Sequence, residues 1–155
     1  MYGQILSPMG LGLPYVPDKI VEYKDGIVVA YDDREGNVEL QILNGHIWNK
    51  INKPNIPMTG IKTVVEFKII DLLSLNEKIY LAIGYENRIN PTDKNLILEW
   101  GNNKWADISN PTINEALSLK QFFVEDNEVK CLGKFSSNTS TVSYTHLTLP
   151  TKQAV

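Results

Sequence analysis

Asp32, Asp33 and Glu35, directly ahead of Gly36-Asn37, form the densest acidic cluster of the chain. Carboxylates around such a loop could hold calcium, which takes oxygen ligands in flexible geometry. The alternating ligand spacing of a known calcium loop is missing, and Asp, Gly and Asn are the ordinary residues of a solvated hairpin turn. A turn is therefore expected there. His46, in Asn44-Gly-His-Ile-Trp48, has no second histidine or cysteine within residues 1–141 placed to share a metal, so a structural or exposed role is expected. The flat indoles of Trp48, Trp100 and Trp105 suit stacking on sugar rings. Trp48 and Trp105 recur at one framework position, which points to packing. Trp100, following Glu99 at the end of a strand, is the candidate for touching a ligand, together with Tyr85, Asn87 and Arg88 at the start of a long loop. There is no Ser-x-Asp-x-Gly-x-x-Trp box, no Gly-x-Ser-x-Gly elbow, and no matched tyrosine, cysteine and histidine set for copper radical chemistry. No catalytic residue, cofactor or metal ligand is assigned, and this stretch is not expected to be an enzyme.

The chain has 155 residues, with 15 Lys and Arg against 18 Asp and Glu for a net charge of −3. Because acids and bases are interspersed, no basic face is available for nucleic acid or an anionic membrane. Every aliphatic stretch, including the run from Val64 to Gly84, is interrupted by charge within a few positions, so no membrane span is expected. Cys131 is the sole cysteine, which excludes an internal disulfide framework. Met1-Tyr-Gly-Gln lacks the basic start and apolar core of a signal peptide; Met1 is not expected to be the natural beginning.

The segment Val142-Ser-Tyr-Thr-His-Leu-Thr-Leu-Pro-Thr151 resembles a reading-frame translation of the transposase adapter used in short-read sequencing libraries. Lys152-Gln-Ala-Val155 fits the continuation: a codon beginning with A, two index-encoded residues, then valine and a stop. Residues 142–155 are therefore expected to be a non-native, disordered tail, excluded from fold reasoning together with His146. The natural protein is expected to continue beyond Thr141.

Positioning the remaining candidates requires an element pattern, and internal repetition supplies one. Tyr2-x-x-Ile5-x-x-Pro8, Trp48-x-x-Ile51-x-x-Pro54 and Trp105-x-x-Ile108-x-x-Pro111 share one spacing of aromatic, isoleucine and proline, at intervals within the range of propeller blades. Between these marks Lys24-Asp-Gly-Ile-Val-Val-Ala-Tyr31, Asn76-Glu-Lys-Ile-Tyr-Leu-Ala-Ile83 and Asp126-Asn-Glu-Val-Lys-Cys-Leu-Gly133 each set a polar turn before a short apolar strand. Ile27, Val29 and Tyr31 share one face, as do Ile79, Leu81 and Ile83, then Val129, Cys131 and Gly133. Cys131 thus falls where aliphatics sit in the other copies and reads as core filler. With a strand before each turn and two after it, a full copy holds four short strands. The aliphatics of Val64 to Lys78 also suit a helix, but alignment with Lys19–Lys24 and Leu119–Val124 favours strand.

Four-stranded units at this interval resemble the kelch-like, or galactose-oxidase-central-domain-like, repeat found in surface proteins of Bacteroidota. Glu77-Lys-Ile-Tyr-Leu-Ala-Ile-Gly84 and Asn95-Leu-Ile-Leu-Glu-Trp-Gly-Asn-Asn-Lys-Trp105 carry the resemblance best, and Glu128–Phe135 also fits. Ala82-Ile83 replaces the usual glycine pair and Leu43-Asn44-Gly45 replaces Trp-Asp-Gly. The resemblance implies an all-β partial β-propeller over residues 1–141: about two four-stranded antiparallel blades, 18–52 and 64–109, with a truncated blade at 115–137. Residues 1–8 would be the last strand of a preceding or closing blade. It further implies a secreted or cell-surface binding or scaffold module with a protein or glycan ligand, the long loops 53–62 and 85–94 as contact sites, and the remaining blades of the same chain as neighbours. The alternatives are an accessory part of a propeller-containing carbohydrate-active enzyme and an intracellular kelch-type adaptor. Repeat assemblies need about three or more units for stability, so the chain alone is expected to aggregate or fold poorly.

Overall fold

The computed structural model describes residues 12–32, 37–54, 65–87, 94–109, 118–136, 141–142 and 147–148. The chain is all-β, and its strands form antiparallel four-stranded sheets. In the first sheet β1 (Lys19–Tyr23), β2 (Gly26–Asp32), β3 (Val38–Asn44) and β4 (Ile47–Lys50) lie side by side in chain order. The second repeats that meander with β5 (Val65–Leu75), β6 (Lys78–Asn87), β7 (Lys94–Gly101) and β8 (Lys104–Asp107). In the third, β10 (Glu128–Ser136) pairs with β9 (Ser118–Glu125) and with two short strands, β11 (Thr141–Val142) and β12 (Leu147–Thr148). The segment 1–8 lies outside the described residues.

Two-residue turns close the hairpins because their chemistry matches the strand twist. At Asn76-Glu77, Asn102-Asn103 and Asp126-Asn127 both central residues have positive φ, between 51° and 60°. That is the type I′ pattern, which Asn and Asp tolerate and which follows the right-handed twist of the flanking strands. Gly45 serves the same purpose between β3 and β4 at φ 62°. Gly26 is needed for another reason: a Cβ there would sit 2.1 Å from the Leu43 carbonyl oxygen.

Alternation along each strand divides every sheet into two faces, and the faces pack in chain order. From the first sheet Val28, Ala30, Val38 and Leu40 meet Leu72, Ile79, Leu81, Ile83 and Leu98 of the second. Tyr80, Ala82 and Ile97, on the opposite face of the second sheet, meet Leu119, Phe122, Val129 and Cys131 of the third. Strand β6 is therefore apolar on both faces, which is why Ile79 to Ile83 reads as a continuous run rather than an alternation. Each fully buried aliphatic here contributes about 1.5–3 kcal/mol. We call the face toward the following sheet leading and the opposite face trailing.

Residues 65–75 are strand throughout. A bulge between Ile69 and Asp71 shifts the register of β5 on β6, so apolar residues of one face fall out of step along the sequence, which gave them their helix-like spacing. Asp71 then lies between its neighbours: its carboxylate is 3.6 Å from Lys19 Nζ of β1 and accepts the Phe122 N–H of β9 at 2.7 Å. In the tail, expected to be without structure, Val142 pairs with Phe135, Leu147 with Cys131 and Thr148 with Lys130. The physical reason is general: the backbone N–H and C=O groups along a strand edge pair with whatever extended chain reaches them.

Candidate functional site: a polar cluster and the two ends of the sheets

The densest polar grouping among the described residues follows from strand register. Tyr31 lies opposite Glu39 across β2 and β3, and Gln41 opposite Lys50 across β3 and β4. All four therefore share the trailing face of the first sheet. Tyr31, fully buried, donates its hydroxyl hydrogen to Glu39 Oε2 at 3.2 Å and accepts from Gln41 Nε2. Lys50 Nζ lies 3.1 Å and Lys53 Nζ 3.5 Å from the Glu39 carboxylate. The Tyr15 ring packs on Tyr31 with centroids 5.8 Å apart.

This environment fixes protonation rather than poising it. Burial, then the hydrogen bond and charge of Glu39, push the Tyr31 hydroxyl up to about 12. Burial alone would raise the Glu39 carboxyl, but the Lys50 and Tyr31 hydrogen bonds and the charges of Lys50 and Lys53 hold it below its usual range. At neutral pH the tyrosine is a neutral donor and the glutamate an anion. A second Tyr-Glu-Lys grouping lies in the middle sheet, where Tyr80 is opposite Glu99 and Lys78 pairs with Glu99 at 2.9 Å. Burial, then Glu99, pushes Tyr80 up to about 12. Cys131 is fully buried, and burial followed by the charge of Asp71 raises its thiol to about 12. These groups bind and brace; none of them is tuned for proton transfer or nucleophilic attack near neutrality.

The sequence candidates do not converge. Trp100 sits beside the Gly101–Lys104 turn, paired with Ile79 and Trp105. It is half-buried in the seam between the first two sheets, with its ring edge-on to Tyr23 at 6.0 Å. Tyr85 and Asn87 lie at the far end of β6, opposite Lys94 and Val65 respectively. At about 3.3 Å per residue, Tyr85 is some 20 Å from the turn end, too far for it and Trp100 to grip one small ligand. Tyr85 is partly buried beside Phe67, ring centroids 6.2 Å apart, and burial raises its hydroxyl. Arg88 lies outside the described residues, as do Asp33 and Glu35 of the acidic cluster. His46 is exposed in the β3–β4 turn. Trp105 packs in the first seam and donates its indole N–H to the Asn52 carbonyl at 2.6 Å. Among the described residues no three His, Cys, Asp or Glu side chains are grouped as a metal requires, and no helix is long and apolar enough to cross a membrane.

The two ends of the sheets differ. Within each sheet the two-residue turns lie at one end, and Tyr23 Oη to Glu77 O at 3.2 Å, with Ser74 Oγ to Glu22 O, holds the turn ends of the first two sheets together. Segments 33–37, 51–64, 88–93 and 108–117 all depart from the opposite strand ends. Tyr85 and Asn87 belong to that end, Trp100 to the turn end. Neither the family models, the curated proteins nor the solved structures compared with this chain contain a match.

Proposed function

We propose that the chain is part of a propeller-type binding or scaffold module, displayed outside the cell, that presents the long segments at one end of its stacked sheets to a protein or glycan. The observation that carries this reading is the asymmetry of the ends: tight turns close one, and every longer connection leaves from the other. A rigid frame with loops gathered at one end is how binding surfaces are commonly built. The repetition of the frame supports the propeller component. Ile51 N–H donates to the Leu40 carbonyl and Ile108 N–H to the Ile97 carbonyl, both at 3.0 Å and at equivalent places in the two sheets. Binding without catalysis is supported by the tyrosines, the glutamate and the thiol, all held away from neutral pKa values. Incubation with a panel of plant and bacterial polysaccharides and with immobilised surface proteins tests this, reading retained ligand and released reducing ends together. Retention that weakens on Tyr85→Ala and is unchanged by substitution of Lys104 at the turn end is expected. Release of reducing ends would favour the carbohydrate-active reading instead.

A further inference from the structure

The outer edge of β10 holds an occupant unlike those of its counterparts. Counted from their hairpin turns, Val129, Cys131 and Gly133 of β10 match Ile79, Leu81 and Ile83 of β6 and Ile27, Val29 and Tyr31 of β2. On β6 and β2 the next strand pairs without a break, β7 from Ile79 to Tyr85 and β3 from Ile27 to Asp32. On β10 that third-strand place is held by the tail, antiparallel and in the same register. Leu147 stands opposite Cys131 as Leu98 stands opposite Leu81, and Thr148 opposite Lys130 as Glu99 opposite Tyr80. At the far end Val142 and Thr141 pair with Phe135 and Ser136. Between the two ends the register slips by one residue, and among the described residues Leu132, Gly133 and Lys134 have strand partners only on the β9 side. A strand of β7 type suits this place better. Leu96, Ile97 and Leu98 of β7 are each at most 5% exposed, with Leu96 and Leu98 opposite Ile83 and Leu81 on the trailing face and Ile97 on the leading one.

We propose that the outer edge of β10 is a strand-acceptor site, which takes an extended, alternately apolar segment of another polypeptide in antiparallel register, with residues 141–148 as its displaceable occupant. Backbone N–H and C=O groups along an edge supply the affinity of such an addition, and alternate side chains set its register. The tail pairs over two short stretches. A continuous segment pairs through Leu132 to Lys134 as well and brings aliphatics to the places that Leu96 and Leu98 hold in the second sheet. The site lies along a strand edge, so it is independent of which segments at the sheet ends contact a ligand.

The probe is a fluorescently labelled peptide of the β7 sequence, Lys94 to Gly101, titrated into the full chain and followed by fluorescence anisotropy. Wild type is expected to bind it. Leu147→Pro removes a backbone N–H from the tail and leaves β10 untouched; it is expected to bind at least about tenfold more tightly, because the tethered tail no longer competes. Two further peptides, N-methylated at alternate residues in opposite phase, separate strand pairing from apolar adhesion. Successive residues of a strand point their N–H groups to opposite sides, so one phase is expected to abolish binding and the other to preserve it. Absence of binding by Leu147→Pro, affinity equal to that of wild type, or equal binding of the two methylated peptides would overturn the proposal. Emission of Trp100 and Trp105 in the first seam, recorded without peptide, shows whether the variant keeps its stacked sheets. Should it shift to that of exposed indole, wild type decides alone: failure to bind the unmethylated peptide, or equal binding of both methylated ones, refutes the site.

Discussion

Glu39 shows how a single carboxylate couples the first sheet to pH. Its folded pKa lies below the ordinary glutamate value of 4.5, so its contribution to stability is complete above that value and is lost as pH falls through the folded one. Urea midpoints followed from about pH 6 down to about pH 3 should fall for wild type and fall less for Glu39→Gln, which has no charge to lose. Equal slopes would mean that Lys50 and Lys53 do not hold the carboxylate in solution. Buried tyrosines act at the opposite extreme: Tyr31 and Tyr80, each raised from 10.0 to about 12, contribute stability fully below pH 10 that is lost as pH rises through 12. Little of this cluster was legible in the sequence. Tyr31 shows there only as one more member of an alternating strand, and its bond to Glu39 exists only once β2 and β3 are set in register. Cys131 was legible, because the position it fills is aliphatic in the other two copies and burial alone explains a small soft side chain there.

Strands and turns were the most readable elements, since each hairpin turn is flanked by apolar runs and filled mainly by Asn, Asp or Gly. Lys24, at φ 51° between β1 and β2, and Glu77, at φ 59° between β5 and β6, are the exceptions among the described turns, both long side chains held in the left-handed region; Glu77 is the one to substitute. An L-residue there is strained by roughly 1 kcal/mol, so Glu77→Gly is expected to stabilise the chain by about 0.5–1 kcal/mol. The Tyr23 bond to the Glu77 carbonyl is backbone-directed and survives the change, while the exposed Lys24–Glu77 ion pair, lost with it, is worth little. Thermal or denaturant midpoints measure the result, and a drop would show that the turn is not type I′ in solution. Strand β5 was the least readable element. Its bulge puts Phe67 and Ile69 on one face with Leu72 and Ser74, a spacing that sequence periodicity cannot tell from a helix stripe.

At the scale of the molecule, the order of the sheets follows from which faces are apolar. The middle sheet is buried on both sides, and its double-faced strand β6 joins the first seam to the second. The repeat of sequence marks made the antiparallel strands and their grouping in fours legible; it did not by itself bring out that Trp100 and Tyr85 lie at opposite ends, because that depends on strand direction within the sheet. What most directly tests the stacking is a nuclear Overhauser spectrum of the isotopically labelled chain, read at the first seam. Cross-peaks are expected between the rings of Tyr23 and Trp100, which are 77 residues apart in sequence and are brought together only by this seam, with centroids 6.0 Å apart. A folded sample without those cross-peaks, or with helical connectivities across residues 65–75, would contradict it.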